Sequence, residues 1–346
     1  MVEKACEVVN FFEEAMEKIN AMPNDRQWVK WIDYMKVYGL YFLVLGHFFS
    51  HAYIYIYTFS VPVFFCISGF LSKKEDNHSL FWKKIFYNLL LPMVIICSIN
   101  FLCNLFWYDA QFSIKLLRRF LFYLFIGMWS STGVCWFVYT LVTCKILFQY
   151  LNRFGQWIVA VLFICLAVVY NTIDFADYGY AFVKWPNAII DVFLAYPFFM
   201  IGSLLRPYRD ELNKLSSVIC IGMFLLMGTV VYFCGYYNGM VNMYMCSYGR
   251  NILLFFVGGI AGTVMLYALS KLTHGGYKYV KTISIGSIII LGFHGHFINT
   301  IRIFFSNPCY LDFLFAFLIL VLFIPIILLS SMYFPCLIGK MRVNKQ

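Results

Sequence analysis

Two ionisable residues, Lys36 and His47, stand eleven positions apart in an apolar stretch near the start of the chain. Eleven residues are about three helical turns, so in a helix both side chains share one face, about 16 Å apart. An ammonium group could hold an anionic cofactor, and an imidazole accepts a proton near neutral pH. The alternatives are a lysine that snorkels to the interface and a core histidine bonded to a neighbouring helix. Gly46, beside His47, allows the close approach of a helix or ligand.

Three further histidines lie in apolar stretches. His51 follows His47 by four residues, a spacing found in zinc sites. No third ligand stands nearby in the sequence, so we expect no metal and place His51 at the outer end of the span. His294 and His296 lie about as deep in a late span as His47 does in the first. Because residues two apart point in different directions on a helix, we expect only one of this pair to face a cavity, with core roles as the alternative.

Three more ionisable residues, Arg250, Arg302 and Asp191, stand near the outer ends of apolar stretches. Charged groups at membrane depth are functional candidates because burying them is costly. The two arginines could orient an acidic sugar or a polyprenyl phosphate, or anchor to lipid headgroups. Asp191 could contact a sugar. We therefore keep all three as candidates for binding an acceptor substrate.

The elements that must position these residues are membrane-spanning helices. The chain of 346 residues is 62% hydrophobic and only 12% charged, whereas a soluble domain is nearer half apolar and a quarter charged. Continuous apolar windows near 20 residues predict helices and not barrel strands. The fold class is therefore all-α, with about ten transmembrane helices. The windows are 34–51, 53–71, 85–107, 134–151, 156–171, 187–206, 216–235, 249–270, 283–305 and 312–335.

A shorter apolar segment, residues 116–128, begins with the pair Arg118–Arg119, and we interpret it as interfacial or re-entrant. Lys and Arg concentrate in alternate loops, which predicts that both termini are cytoplasmic. The net charge of +10 then reflects topology and lipid headgroups, not nucleic acid. We divide the chain into a cytoplasmic segment 1–31, an amphipathic helix or a poorly ordered leader, a transmembrane domain 32–337 and a basic cytoplasmic tail 338–346.

Several strings in this order closely resemble the membrane-bound acyltransferase-3 family. In that family a basic residue, ten intervening residues and a His mark the first helix, as Lys36 and His47 do here. The string from Val61 to Leu71 resembles the family's second-helix motif. The remaining similarities are Phe81-Trp82-Lys83-Lys84 leading to Pro92, Trp136-Phe137 in a central span, and Ser284-Ile285-Gly286 through His294-Gly295-His296 in a late one.

This resemblance implies transfer of an acyl group, usually acetyl from acetyl-CoA, to a hydroxyl of a cell-surface carbohydrate or polyprenyl-linked glycan. His47 corresponds to the family's essential His and Lys36 to its basic residue near the CoA entrance. The location implied is the inner or plasma membrane, with polysaccharide-assembly proteins as partners. An imidazole can remove the hydroxyl proton as the new bond forms, and a covalent acyl-histidine intermediate remains open.

Other residues take roles from the same resemblance. Lys83 and Lys84 would join Lys36 in binding the donor, the family pattern favours His296 over His294, and Ser68 joins the acceptor candidates. The chain departs from many members at Ser60, where they have His, and near Asn88, where some have a second Arg.

A different class, a polysaccharide export protein without acyl-transfer chemistry, is the main alternative. That class predicts internal repeat symmetry and spans broken by Pro or Gly at matching positions. The sequence shows no clear repeat of this kind. A purely structural membrane partner would give no reason to place Lys36 and His47 on one face. These comparisons favour the enzyme.

Overall fold

The computed structural model describes residues 13–17, 29–50, 52–107, 113–126, 132–172, 187–305 and 310–339. Within these ranges the chain is helical, and its only β-type pairing is an isolated bridge between Asn242 and Ser247. Of the predicted N-terminal helix, residues 13–17 are helical, with Ala15 and Met16 buried in the core. His51 and most of the basic tail lie outside the described residues. The predicted all-α class is confirmed.

The described helices from Lys30 to Tyr333 follow one another in chain order. They are α1 (Lys30–His47), α2 (Tyr53–Tyr57), α3 (Ser60–Leu71), α4 (His78–Ile85), α5 (Leu91–Trp107), α6 (Ile114–Ile126), α7 (Cys135–Tyr150), α8 (Arg153–Thr172), α9 (Asn187–Leu205), α10 (Arg209–Lys214), α11 (Ser217–Asn238), α12 (Ile252–Leu272), α13 (Tyr277–Ile285), α14 (Ser287–Phe304) and α15 (Asp312–Tyr333). A π-helical turn, Phe86–Leu90, joins α4 to α5.

Helix starts follow from local capping chemistry at several of the connections. The side chain of Asn77 accepts a hydrogen bond from the Leu80 amide at the start of α4. Ser216 does the same at α11 and Asn251 at α12. Such caps satisfy backbone N–H groups that have no partner inside the helix. The loops between apolar windows therefore carry the signals that begin the next helix.

Within the described ranges, eight helical segments are long and apolar enough to cross a membrane. They correspond to eight of the ten predicted windows. The other two windows also form helices: α1, which carries Lys30, Asp33 and Lys36, and α7, which has 16 residues. Helix α6 matches the segment predicted to be interfacial, and its depth in a membrane stays a prediction. The chain is a polytopic membrane protein built from helices.

Helix α1 carries Lys36 and His47 and packs against several other helices. It contacts α3, α12, α13, α14 and α15. Its buried residues include Leu40, Val44 and Leu45, which belong to a cluster that continues into α14 and α15. Because α1 is enclosed on several sides, the positions of Lys36 and His47 are set by packing as well as by helical geometry.

Helices α3 and α9 pack with their backbones almost in contact. A Cβ atom on Gly69 would overlap the carbonyl oxygen of Phe199, and one on Gly202 would overlap the carbonyl oxygen of Cys66. Small residues permit this kind of approach between membrane helices. Gly69 follows Ser68 in the second family-like string, so the glycine in that string has a packing role here.

We predict that Gly69→Ala lowers the stability of the protein, whereas Gly222→Ala does not. At Gly69 the added methyl meets rigid backbone, and overpacking of this kind costs about 1–3 kcal/mol. At Gly222, inside α11, nothing lies within 4 Å of the position that a Cβ would occupy, and Ala favours the helix by about 1 kcal/mol. Thermal unfolding of the detergent-solubilised variants measures the difference. Equal midpoints for the two variants would contradict the close crossing.

Candidate functional site

His47 is the last residue of α1, and its ring is fixed by that helix. Its Nδ1 lies 2.8 Å from the carbonyl oxygen of Leu43. A carbonyl can only accept, so the neutral ring carries its proton on Nδ1 and leaves Nε2 as an acceptor. The predicted first span, 34–51, is too long at this end: α1 stops at His47, and the chain turns through Phe49, whose φ is 47°. His47 therefore stands at the end of the helix.

A cavity of about 400 Å³ opens beside His47. It is bounded by α1, α2, α3, α5, α7, α14 and the loop between α11 and α12. Its described lining consists of apolar and aromatic residues, two histidines, two asparagines and two tyrosines, with no Lys, Arg, Asp or Glu among them. These residues are Leu43, His47, Phe49, Tyr57, Val61, Phe64, Asn100, Gly133, Val134, Trp136, Phe137, Asn242, Met243, Tyr244, Leu291, Gly292, His294 and Gly295.

The loop between α11 and α12 reaches the cavity through Asn242, Met243 and Tyr244. The Asn242 side chain accepts a hydrogen bond from the Met245 amide, and Asn242 forms the isolated bridge with Ser247. These bonds hold a loop that the sequence shows only as uncharged. The predicted topology places this loop on the outer side of the membrane, so we predict that this end of the cavity faces outward.

His294 lies against His47 inside this cavity. The two ring centroids are 4.7 Å apart and the ring planes meet at 78°. The Nδ1 of His294 lies 2.8 Å from the carbonyl oxygen of Ile290, one turn earlier on α14. The two histidines, from helices far apart in sequence, are thus held in the same way and meet at one place.

The expectation that His296, and not His294, faces the cavity is wrong. His296 points from another side of α14, and its Nε2 lies 2.9 Å from Oδ1 of Asn100. Asn100 also donates to the carbonyl oxygen of Gly292, at 3.0 Å, and itself lines the cavity. His296 therefore reaches the cavity only through Asn100. Sequence reasoning did not identify Asn100, because its relevance depends on how α5 packs against α14.

Arg302 joins the ends of three helices. Its guanidinium lies 2.9 Å from Oδ2 of Asp312, which is fully buried at the start of α15. It also donates to the carbonyl oxygen of Phe48, at 2.6 Å, and lies over the Phe48 ring. These contacts fix the residue that follows His47. Arg302 is not among the described lining residues of the cavity.

Two more of the predicted acceptor contacts, Arg250 and Asp191, also lie away from the described lining. Arg250 is exposed in the loop before α12. Asp191 is fully buried in the core, where Oδ1 accepts a hydrogen bond from the hydroxyl of Tyr248 at 3.1 Å. The structure does not bring either residue to His47, and their roles in acceptor binding remain untested.

A group of cations surrounds the C-terminal end of α3, near Lys36. The Lys145 ammonium lies 3.1 Å from Oγ of Ser72, and Arg206 donates to the Ser72 carbonyl oxygen. Lys145 and Lys36 are close enough for their charges to interact, and Lys36 also interacts with Asp33. We call Lys36, Lys145 and Arg206 the basic cluster. Three separate helical segments contribute to it, so no spacing in the sequence could reveal it.

Ser68 lies one turn before Ser72 on α3, and its carbonyl oxygen accepts a hydrogen bond from the Ser72 hydroxyl at 2.7 Å. It is half-buried at this end and is not part of the described cavity lining. Among the predicted acceptor contacts, the structure thus places Ser68 nearer to the basic cluster than to His47.

Lys83 and Lys84, the other predicted donor-binding residues, lie on α4. Lys84 forms an ion pair with Glu75, at 2.5 Å, and Lys83 is exposed. Glu75 is held in turn by hydrogen bonds between its backbone and the side chain of Gln149. Within the described residues, Lys84 is thus paired with an acidic side chain, whereas Lys145 and Arg206 lie at Ser72.

The family comparison identifies the class of protein. The acyltransferase-3 family, described as an acyltransferase domain, matches residues 29–335. Since this match spans most of the chain, the protein belongs to that family and is a membrane acyltransferase. Neither a curated protein nor a solved structure matches the chain.

We predict that Arg302→Ala destabilises the fold far more than Arg250→Ala. Removing the Arg302 guanidinium takes the cation away from the buried carboxylate of Asp312, and breaking a buried ion pair costs about 3–5 kcal/mol. Arg250 is exposed, so its loss should change stability by less than about 0.5 kcal/mol. Chemical unfolding in detergent compares the two. Similar losses in both variants would contradict a structural role for the ion pair.

Proposed function

We propose that the protein moves an acyl group, acetyl from cytoplasmic acetyl-CoA, to a hydroxyl of a sugar in a surface or exported polysaccharide. His47 acts as the general base. The observation that carries this proposal is the fixed tautomer of His47 in a family member: with Nδ1 bonded to Leu43, Nε2 is an acceptor beside a cavity large enough for reacting groups. The protein would work in the inner or plasma membrane, beside polysaccharide-assembly proteins.

The basic cluster supports the donor half of the proposal. Acetyl-CoA carries several phosphate charges at one end and its thioester at the other. Cations bind phosphates well, and an arginine does so with paired hydrogen bonds. Lys36 and His47 share a helix face about 16 Å apart, so phosphates held at the cluster would leave the thioester arm free to extend towards His47. Lys83 and Lys84 follow α3 in the chain and would add charge at the same end.

The cavity lining supports the acceptor half. Trp136, Tyr57 and Tyr244 line the cavity and offer flat aromatic faces together with N–H and O–H groups. The amides of Asn100 and Asn242 can both donate to and accept from sugar hydroxyls. These groups recognise a polyhydroxylated molecule through its shape and hydroxyls. A glycan linked to a polyprenyl carrier would present such a sugar at the outer side of the membrane.

In the proposed reaction, one histidine both takes up and returns the proton. Nε2 of His47 takes the proton from the sugar hydroxyl as its oxygen attacks the thioester carbonyl carbon. A new carbon–oxygen bond forms, the carbon–sulfur bond breaks, and the electron pair leaves with sulfur. The protonated His47 then returns its proton to the CoA thiolate. The products are the sugar ester and free CoA, and His47 is restored.

We predict that His47→Ala reduces acyl transfer by about 10²–10⁴-fold, the usual contribution of a positioned base. The measurement is transfer of labelled acetyl from acetyl-CoA to glycan in membrane vesicles, with NMR of the polysaccharide O-acetyl signals from cells. His274→Ala is the matched control, because His274 is exposed and outside the described cavity lining. Unchanged O-acetyl content in a folded His47→Ala variant would refute the proposal.

We also predict that Lys145→Gln raises the KM for acetyl-CoA about 10-fold, equivalent to about 1.4 kcal/mol, with little change in kcat. The loss of a cation from the basic cluster weakens phosphate binding in the ground and transition states alike. Lys271→Gln is the control, since Lys271 is partly exposed and bonds to the carbonyl of Asn213.

Acetyl-pantetheine, which lacks the nucleotide phosphates, provides a second control for the Lys145 prediction. With this donor, wild type and Lys145→Gln should have the same KM. A KM difference that persists with acetyl-pantetheine would show that Lys145 does not act through the phosphates.

A further inference from the structure

His294 is a buried ionisable group that the proposed reaction leaves unused. It lines the same cavity as His47, and its ring contacts that of His47 nearly at right angles. It belongs to α14, which packs directly against α1. A second imidazole in contact with a general base changes how readily that base can hold a proton.

In both histidines, Nε2 is free of the bond to the helix backbone and can accept a proton. Each uses Nδ1 to bond a carbonyl oxygen of its own helix, Leu43 for His47 and Ile290 for His294, at 2.8 Å in both cases. In the neutral rings, both Nε2 atoms therefore lack a proton. The described cavity lining supplies no carboxylate that could balance a charge on either ring. Among the described lining residues, only neutral polar groups can stabilise a positive charge that forms here.

The two histidines differ in their place along the helix. His47 is the final residue of α1, where the partial negative charge of the helix end favours a cation. His294 lies in the middle of α14, which runs from Ser287 to Phe304, and has no such advantage. A proton taken up by the pair therefore belongs on His47, with His294 as its neutral neighbour.

We infer that His294 is a positioning residue for His47, and this inference rests on the proposed function. Its neutral imidazole holds the His47 ring in place and stabilises the charge that His47 gains on taking the hydroxyl proton. His294 itself neither forms nor breaks a bond to the substrates. The proton passes from the sugar oxygen to His47 and then to the CoA thiolate, so the balance of the reaction is unchanged.

The alternative is that His294 only fills space beside His47. Three variants separate the two roles. His294→Gln keeps a neutral polar acceptor. His294→Leu and His294→Met fill similar space but have no nitrogen or oxygen acceptor. Initial rates are measured in membrane vesicles with labelled acetyl-CoA and a glycan acceptor. Thermal unfolding tests whether each variant is folded, and the second apolar variant is used where the first does not fold.

We expect the apolar variants to lower kcat by about 10- to 100-fold, less than the loss of the base itself, with each KM within about twofold of wild type. His294→Gln should recover most of that loss. In a His47→Ala background, His294→Leu should reduce the residual rate no further, because the residue acts through His47.

Three results would overturn the inference: full kcat in the apolar variants, an equal loss in His294→Gln and His294→Leu, or losses that multiply in the double variant. Failure of the proposed function gives a different pattern. In that case wild type transfers no acetyl from acetyl-CoA, or His47→Ala keeps the full rate, whatever residue stands at position 294.

Discussion

The hydrogen bond from Nδ1 of His47 to the carbonyl oxygen of Leu43 is the interaction on which the site depends. The Leu43 carbonyl can accept this bond in addition to its helical one, because a carbonyl oxygen has two lone pairs. The bond fixes both the ring orientation and the tautomer. The end of α1 is fixed in turn by Arg302, which bonds the Phe48 carbonyl and pairs with buried Asp312. A local bond and a tertiary ion pair together direct Nε2 of His47 to the cavity.

The described lining of the proposed reaction centre carries no charged side chain, and Arg302 and Asp312, which adjoin Phe48, form an ion pair with each other. Cations gather at the end of α3, around Ser72. In an environment of low dielectric constant, charge near the reacting atoms would strongly alter the proton affinity of His47. Helix α1 joins the two regions, with Lys36 near the cations and His47 at the cavity. This separation suits a donor whose charged and reactive ends lie far apart.

Much of the fold could be predicted from the sequence, because membrane helices appear as long apolar runs and two residues eleven apart share a helix face. Lys36 and His47 were identified in this way. The rest depends on contacts between helices. Lys145 joins the basic cluster only through the packing of α7 against the end of α3. The sequence also favours the wrong histidine of the late helix, because the family pattern points to His296. The rotation of α14 about its axis places His294 at the cavity, and this rotation depends on helix packing.

The most direct test of the central claim is a transfer assay across a sealed membrane. The protein is reconstituted in one orientation into liposomes, with labelled acetyl-CoA on the side of Lys36 and a soluble glycan acceptor on the other. We predict that the label appears in the acceptor on the side opposite the donor, and that transfer stops when donor and acceptor exchange sides. Transfer only when both substrates share one side would contradict a donor site and an acceptor site on opposite faces of the membrane.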